Sequence, residues 1–348
     1  MSRFPLSQHD PSLIAAHADW SIDPRKRWVS IARRRGGRWQ AEAPRLVGDP
    51  AALVACLLAE GAPLALGLDL PLGLPRGFAA GRPEPGFPAF LRGLVGMPDF
   101  FIVSPGLETV GPARPFYPAR GIKGMTRAAH AAALGMADAS GLSRLCDRAT
   151  TIRPAGAPVF WTLGANQSGK AAISAWRDWL APALAAGAPL RLWPFEGALK
   201  ALLAPGRAVL AEVYPAEALR HLEIRLGGSK RVPEVRRAAE PGLRLAMARL
   251  AVTPAPALAA AMAAGFGADA PGEDRFDSLL GLLCVIGVLE EQRPDFVPDD
   301  RWVRHWEGWV LGQTELPPVP TLPSPAAGGA PDDPRASLPP GLPYRARE

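Results

Sequence analysis

Two near-continuous apolar runs, Pro63–Asp69 and Ala208–Val213, constrain this chain more than any other feature. A strand with one wet face alternates apolar and polar residues. Runs without alternation suit strands covered on both faces, as in parallel sheets flanked by helices. Three further strands precede them, Leu13–Asp19, Trp28–Arg33 and Gly37–Ala43, with Arg34, Arg35 and Gly36 between the last two. Their rough alternation predicts hairpins. A helix follows over Pro50–Glu60, with Asp49 as its N-cap and Gly61 as its stop.

The stretch from about 76 to 205 is too long for a connection and reads as a mostly helical insertion. It holds a predicted helix at Arg127–Leu134, a strand-like Val159–Leu163 and a helix over Lys170–Ala186. Further helices are predicted over Pro215–Leu222, Val232–Leu250 and Arg275–Glu290, then a Trp-rich one over Asp300–Val310. The expected fold class is α/β. Three hairpin-linked strands and then parallel ones form a mixed sheet, with the insertion between strands 4 and 5. Residues 315–348 carry ten prolines in 34 residues, which predicts a disordered tail.

Composition narrows the function. The 39 basic residues outnumber the 33 acids, and all but five are arginine. Such a balance permits a phosphate-bearing partner. The three cysteines, Cys56, Cys146 and Cys284, are far apart, so neither a disulfide framework nor a zinc site is expected. No secretory signal pattern opens the chain, and the longest apolar run, Ser278–Leu289, is too short for a bilayer. A cytoplasmic protein with no membrane contact is expected.

The informative residues are acids at strand ends: Asp19, Asp69 and Glu212. Ligands of open α/β sheets bind at the carboxyl ends of parallel strands. Asp274 and Asp277 are three apart on the last long helix, which places them on one face. Clustered carboxylates repel unless they share protons or bind cations, and all-oxygen donors suit Mg²⁺ or Mn²⁺. Two such ions are a recurring device for phosphodiester hydrolysis. Each acid also has a plain structural reading. Asp19 and Asp69 are turn formers, Asp274 is a helix N-cap, and Asp277 is a dipole-favoured acid. Glu212 inside an apolar strand is costly unless paired or functional.

Several stretches together resemble the domain-of-unknown-function family 429, predicted RNase H-like, RuvC-like nucleases. They are His17 to Ser21, Gly67 to Gly73, Gly164 to Lys170, Leu192 to Gly197, Glu212 to Pro215 and Glu273 to Asp277. The resemblance covers roughly residues 10–312. It implies an RNase H-like domain with a metal-dependent nuclease activity on DNA or RNA. Asp19, Asp69 and Asp277 match its acid positions, with Glu212 and Asp274 as further metal ligands. The long insertion departs from minimal nucleases of that fold. An inactive binding module of the same fold therefore stands as an alternative.

Gly164–Lys170 reads G-x-x-x-x-G-K, but Ala171 replaces the Ser or Thr that would hold Mg²⁺. It reads as a phosphate-contacting element through Asn166 and Lys170, or as a plain helix start. An actin-like phosphotransferase or ATPase is the remaining alternative. Lys230 and Arg237 are further substrate-binding candidates, and the arginines of residues 25–38 could track a nucleic-acid backbone.

Overall fold

The computed structural model describes residues 12–121, 125–163 and 168–318. Its centre is an eight-stranded sheet. The strands are β1 (Leu13–Asp19), β2 (Trp28–Arg35), β3 (Arg38–Ala41), β4 (Arg45–Leu46), β5 (Leu64–Leu68), β6 (Leu190–Leu192), β7 (Ala208–Glu212) and β8 (Val252–Pro254). Their order is β6-β7-β5-β1-β2-β3-β8, with the short β4 paired to β2. β1, β5, β7 and β6 run parallel, while β2 is antiparallel to β1, β3 and β4. The α/β class with a mixed, mainly parallel sheet is as expected.

β5 and β7 are buried at every position, which is why both runs lack alternation. The β2–β3 turn is Gly36-Gly37, with φ of +56° and +74°. Only glycine takes two successive positive φ values cheaply, and this geometry matches the strand twist. The hairpin therefore turns one residue later than the Arg34–Gly36 connection expected, and β2 extends to Arg35.

The long helix Gly272–Leu289 covers one sheet face, fixed by bonds to β1 and β2. His17 Nδ1 bonds the Ser278 carbonyl at 3.2 Å, and the Ser30 and Ser278 hydroxyls pair at 2.9 Å. Gly281 and Gly67 make room for the buried His17 ring, because a Cβ at either would run into it. Burial lowers the His17 pKa to about 4, so this histidine is a neutral packing residue.

The insertion covers the other face, with aromatic packing among Phe78, Phe90, Phe100, Phe116 and Phe160. It is less regular than expected. The described residues of 159–163 form no strand, only an isolated bridge from Trp161 to Tyr117. Conversely β6 lies within the expected insertion and extends the central sheet. The expected helix over Val232–Leu250 is two helices, Pro233–Ala238 and Glu240–Arg249. The last long helix begins at Gly272, so Asp274 is inside its first turn and is not its N-cap.

Residues 301–307 form the short helix expected there. Its end crosses the loop after β5 closely. Gly73, at φ +144°, sits on the Glu307 carbonyl, and Gly308, at φ +68°, on the Leu72 carbonyl, with no space for a Cβ at either. The expected tail lies outside the described residues from 319 onward. No helix among the described residues is long and apolar enough to cross a membrane.

Candidate functional site

Asp19 ends β1, and Asp69 directly follows β5. The strands pair in parallel with Ala18 opposite Leu68, and the Asp69 N–H donates to the Ala18 carbonyl at 3.0 Å. The two acids therefore leave the same sheet edge side by side. Side chains alternate along a strand, so Asp19 shares a face with His17, and Asp69 with Gly67. That face carries the long helix, whose second turn presents Asp277. Asp19 and Asp277 are only 8% and 6% exposed.

Burial and mutual repulsion dominate the electrostatics. Burial pushes Asp19 well above the usual carboxylate range, reinforced by Asp69, Asp277 and Asp274. Asp69 rises to about 7, through burial and then the Asp277 charge, with Lys230 and the neighbouring Asp19 carboxyl opposing. Asp277 rises to about 6 through burial, held back by Lys230. Asp274 is raised by burial and by Glu273. A cation reaches into this group: Lys230 Nζ donates to Asp277 Oδ2, with Glu273 Oε1 at 3.7 Å. The other Asp277 oxygen, Oδ1, is buried and accepts no hydrogen bond from the described residues.

The Lys230 loop is fixed by Arg236, which is buried. Its guanidinium donates to the carbonyls of Lys230 (2.6 Å), Gly265 (2.8 Å) and Gly267 (2.6 Å). Arg237, the sequence candidate, is exposed and sits 3.8 Å from Glu234. Adjacent helical residues point about 100° apart, and the inward position belongs to its neighbour.

Glu212 does not join the aspartates. It pairs in register with Leu68, one residue out of step with Asp69, so its side chain emerges on the opposite face. There it is buried and engaged. Arg144 Nη1 and Nη2 reach its two oxygens at 2.6 and 2.7 Å, and the Leu72 N–H donates at 2.7 Å. Arg144 also grips Asp147 at 2.9 Å through Nε and Nη2. Potential ligand atoms of Cys146, Asp147 and Glu212 lie within 4.8 Å of one another. The guanidinium already supplies the positive charge both carboxylates need. Burial pushes the Cys146 thiol well up, away from the thiolate a metal requires. This cluster is better read as a closed structural ion network.

A cleft of about 460 Å³ adjoins the aspartates. Asp69, Lys230, Tyr214, Arg153, Glu217 and Arg220 are among its lining residues. Of the G-x-x-x-x-G-K stretch, residues 164–167 lie outside the described ones, Asn166 among them. Lys170 is half-buried on the helix Ser168–Ala175, whose Ser168 and Ala171 line the cleft while Lys170 does not. Sequence reasoning missed Arg144, Arg153 and Arg220. Arg144 and Arg153 act on Glu212 and Glu217, distant in the chain, while Arg220 pairs with Glu217 within one helix, and among so many arginines no local pattern marks these three.

No protein-family model, no curated protein and no solved structure matches this chain.

Proposed function

We propose that this chain is an RNase H-like, Mg²⁺- or Mn²⁺-dependent hydrolase of nucleic-acid phosphodiesters, of the kind its resemblance to family 429 implies. Strand order supports the fold. β3, β2, β1, β5 and β7 lie side by side, and only β2 is antiparallel among them. One observation carries the function: Asp19, Asp69 and Asp277 are brought to one sheet edge from two strand ends and a helix, Asp19 and Asp277 buried and Asp69 half-buried at the cleft, with all three pKa values raised. Such a group is short of positive charge.

The donor types suit a hard divalent cation, and because the oxygens of the three aspartates do not all lie within 4.8 Å of one another, the side chains would have to close around an ion. All its ligands are carboxylate oxygens, and Asp277 Oδ1 takes no hydrogen bond from the described residues. Asp19, Asp69 and Asp277 would hold the ion, with Asp274 as an outer acid. A bound divalent ion supplies a lowered water pKa and stabilises charge on phosphate oxygens. The chain's own residues do the rest. Lys230, bordering both the acids and the cleft, presents its ammonium to a substrate phosphate. Arg236 keeps the Lys230 backbone in place.

The Lys230 contact with Asp277 favours a second reading, a phosphate-binding module without hydrolysis, because an ammonium already meets part of the demand for charge. Asp19→Asn separates the two. Removing a ligand charge should lower Mn²⁺-dependent cleavage of single-stranded DNA or RNA by at least about 100-fold, with the fold intact by circular dichroism. Wild type that binds strands but cleaves none, with either metal, selects the binding module. Cleavage undiminished by Asp19→Asn rejects this site.

A further inference from the structure

Lys230 lines the cleft, and its ammonium is committed to the acids beside it. Nζ donates to Asp277 Oδ2 and lies 3.7 Å from Glu273 Oε1. The side chain is 31% exposed and that of Asp277 only 8%, so water screens the pair only in part. The backbone beneath it is braced. Arg236 Nη1 donates to the Lys230 carbonyl, while Nε and Nη2 donate to the Gly265 and Gly267 carbonyls, in the segment that leads into the long helix. Gly272, the first residue of that helix, makes room for this guanidinium, because a Cβ there would run into Nη2. The loop that carries Lys230 and the start of the helix that carries Asp277 are thus clamped together.

Neighbouring basic residues are engaged elsewhere. Arg275 donates to the Phe266 carbonyl and to Asp269, and lies 4.5 Å over the Trp28 ring. Of the outer acids, Glu273 has Arg231 Nε at 3.4 Å, and Asp274 feels the charge of Lys26. With Asp19, Asp69 and Asp277 ionised, the inner group carries three negative charges, and the Lys230 ammonium leaves two. One divalent ion cancels these. A second would add net positive charge beside a partly buried ammonium, which like-charge repulsion opposes. The donor atoms lead to the same count. Two ions of a pair lie roughly 3.5–4 Å apart, close enough to share a carboxylate, one oxygen each. Asp277 has Oδ2 on the ammonium. Its Oδ1 is buried, accepts no hydrogen bond from the described residues, and is open to one ion.

We infer that Lys230 takes the place of one of two cations in this acid group, so that the site binds a single divalent ion and the ammonium is its built-in partner. This rests on the hydrolase reading above. An ammonium supplies charge and hydrogen bonds but takes no water as a ligand, so Lys230 is suited to a phosphate oxygen and not to the attacking water.

The experiment counts Mn²⁺ on the full chain by isothermal titration calorimetry and reads the EPR spectrum of the loaded protein, in which two ions of a pair couple and a lone ion does not. Wild type should bind one Mn²⁺ without the coupled signal. Lys230→Met, folded by circular dichroism, should bind two and show the coupled pair. Lys230→Arg keeps the charge and should stay at one. A coupled pair on wild type overturns this inference, whatever the variants do, and leaves the hydrolase reading standing. One ion on both wild type and folded Lys230→Met has the same two consequences, as does a coupled pair on Lys230→Arg. Wild type that binds no Mn²⁺ overturns both readings.

Discussion

Replacing Asp69 with asparagine should stabilise the metal-free protein at neutral pH. In the unfolded chain its carboxyl titrates near the ordinary 3.8, and in the fold it is raised to about 7, by burial first and then by the Asp277 charge. Between those values the folded protein holds a proton that the unfolded chain has released. Stability therefore falls as pH rises from about 4 to about 7. At about 1.4 kcal/mol per pH unit the full effect is roughly 4 kcal/mol. The coupling to the neighbouring Asp19 carboxyl and the access of water to the half-buried Asp69 reduce it, so we expect about 1–2 kcal/mol. The substituted amide keeps the size of the side chain and sheds the charge. For a chain this long, about 1–2 kcal/mol is roughly a 2–3 °C rise in Tm. The assay is thermal unfolding in EDTA at pH 7.0 and pH 4.5. Asp69→Asn should melt above wild type at pH 7.0, and the gap should close at pH 4.5. Added Mn²⁺ should protect wild type more than the variant. A variant that melts several degrees below wild type at pH 7.0 in EDTA would refute the reasoning, because Lys230 would then already balance the acids.

Two further outcomes test the surroundings of the site. Arg144→Ala leaves Glu212 and Asp147 buried without their cation, so it should cost about 3–5 kcal/mol in urea unfolding; a cost under about 1 kcal/mol would show that water reaches the network. Gly281→Ala drives a methyl into the His17 ring and should cost about 1–3 kcal/mol, read from the same unfolding curves, whereas Gly287→Ala, with only ordinary contacts near 4 Å, should be neutral or slightly stabilising.

Much of the sheet was legible because burial writes directly into residue type. β5 and β7 show no polar interruption before their last residues, and β1 ends in an acid at the edge where β5 also ends. What could not be read was register. Glu212 and Asp69 both close apolar strands, yet a one-residue offset in pairing sends them to opposite faces, and pairing is a property of two strands together. β6, with three residues, is too short to show a period. Asp274 reads as an N-cap and sets the predicted start of the long helix at Arg275, whereas the helix begins at Gly272, with proline just before it. Arg144 is invisible in the sequence, and so is the inward role of Arg236, because their partners are distant: Glu212 lies 68 residues from Arg144, and Gly265 lies 29 from Arg236.

The crossing of residues 72–73 with 307–308 bears on when the site comes into being. Arg76 is tied to Glu307 and Asp300, more than 220 residues away, and the Glu212 carbonyl receives the Leu311 N–H. A chain emerging from the ribosome carries Asp19 and Asp69 early and Asp277 late. The loop leaving Asp69 is held by Glu212 and Trp176, and gains its last hold only when Trp306 and Glu307 follow. Contacts so distant in sequence form slowly and near the end of folding. A ribosome stalled before Trp306 therefore holds the three aspartates without the last contacts of the loop that follows Asp69.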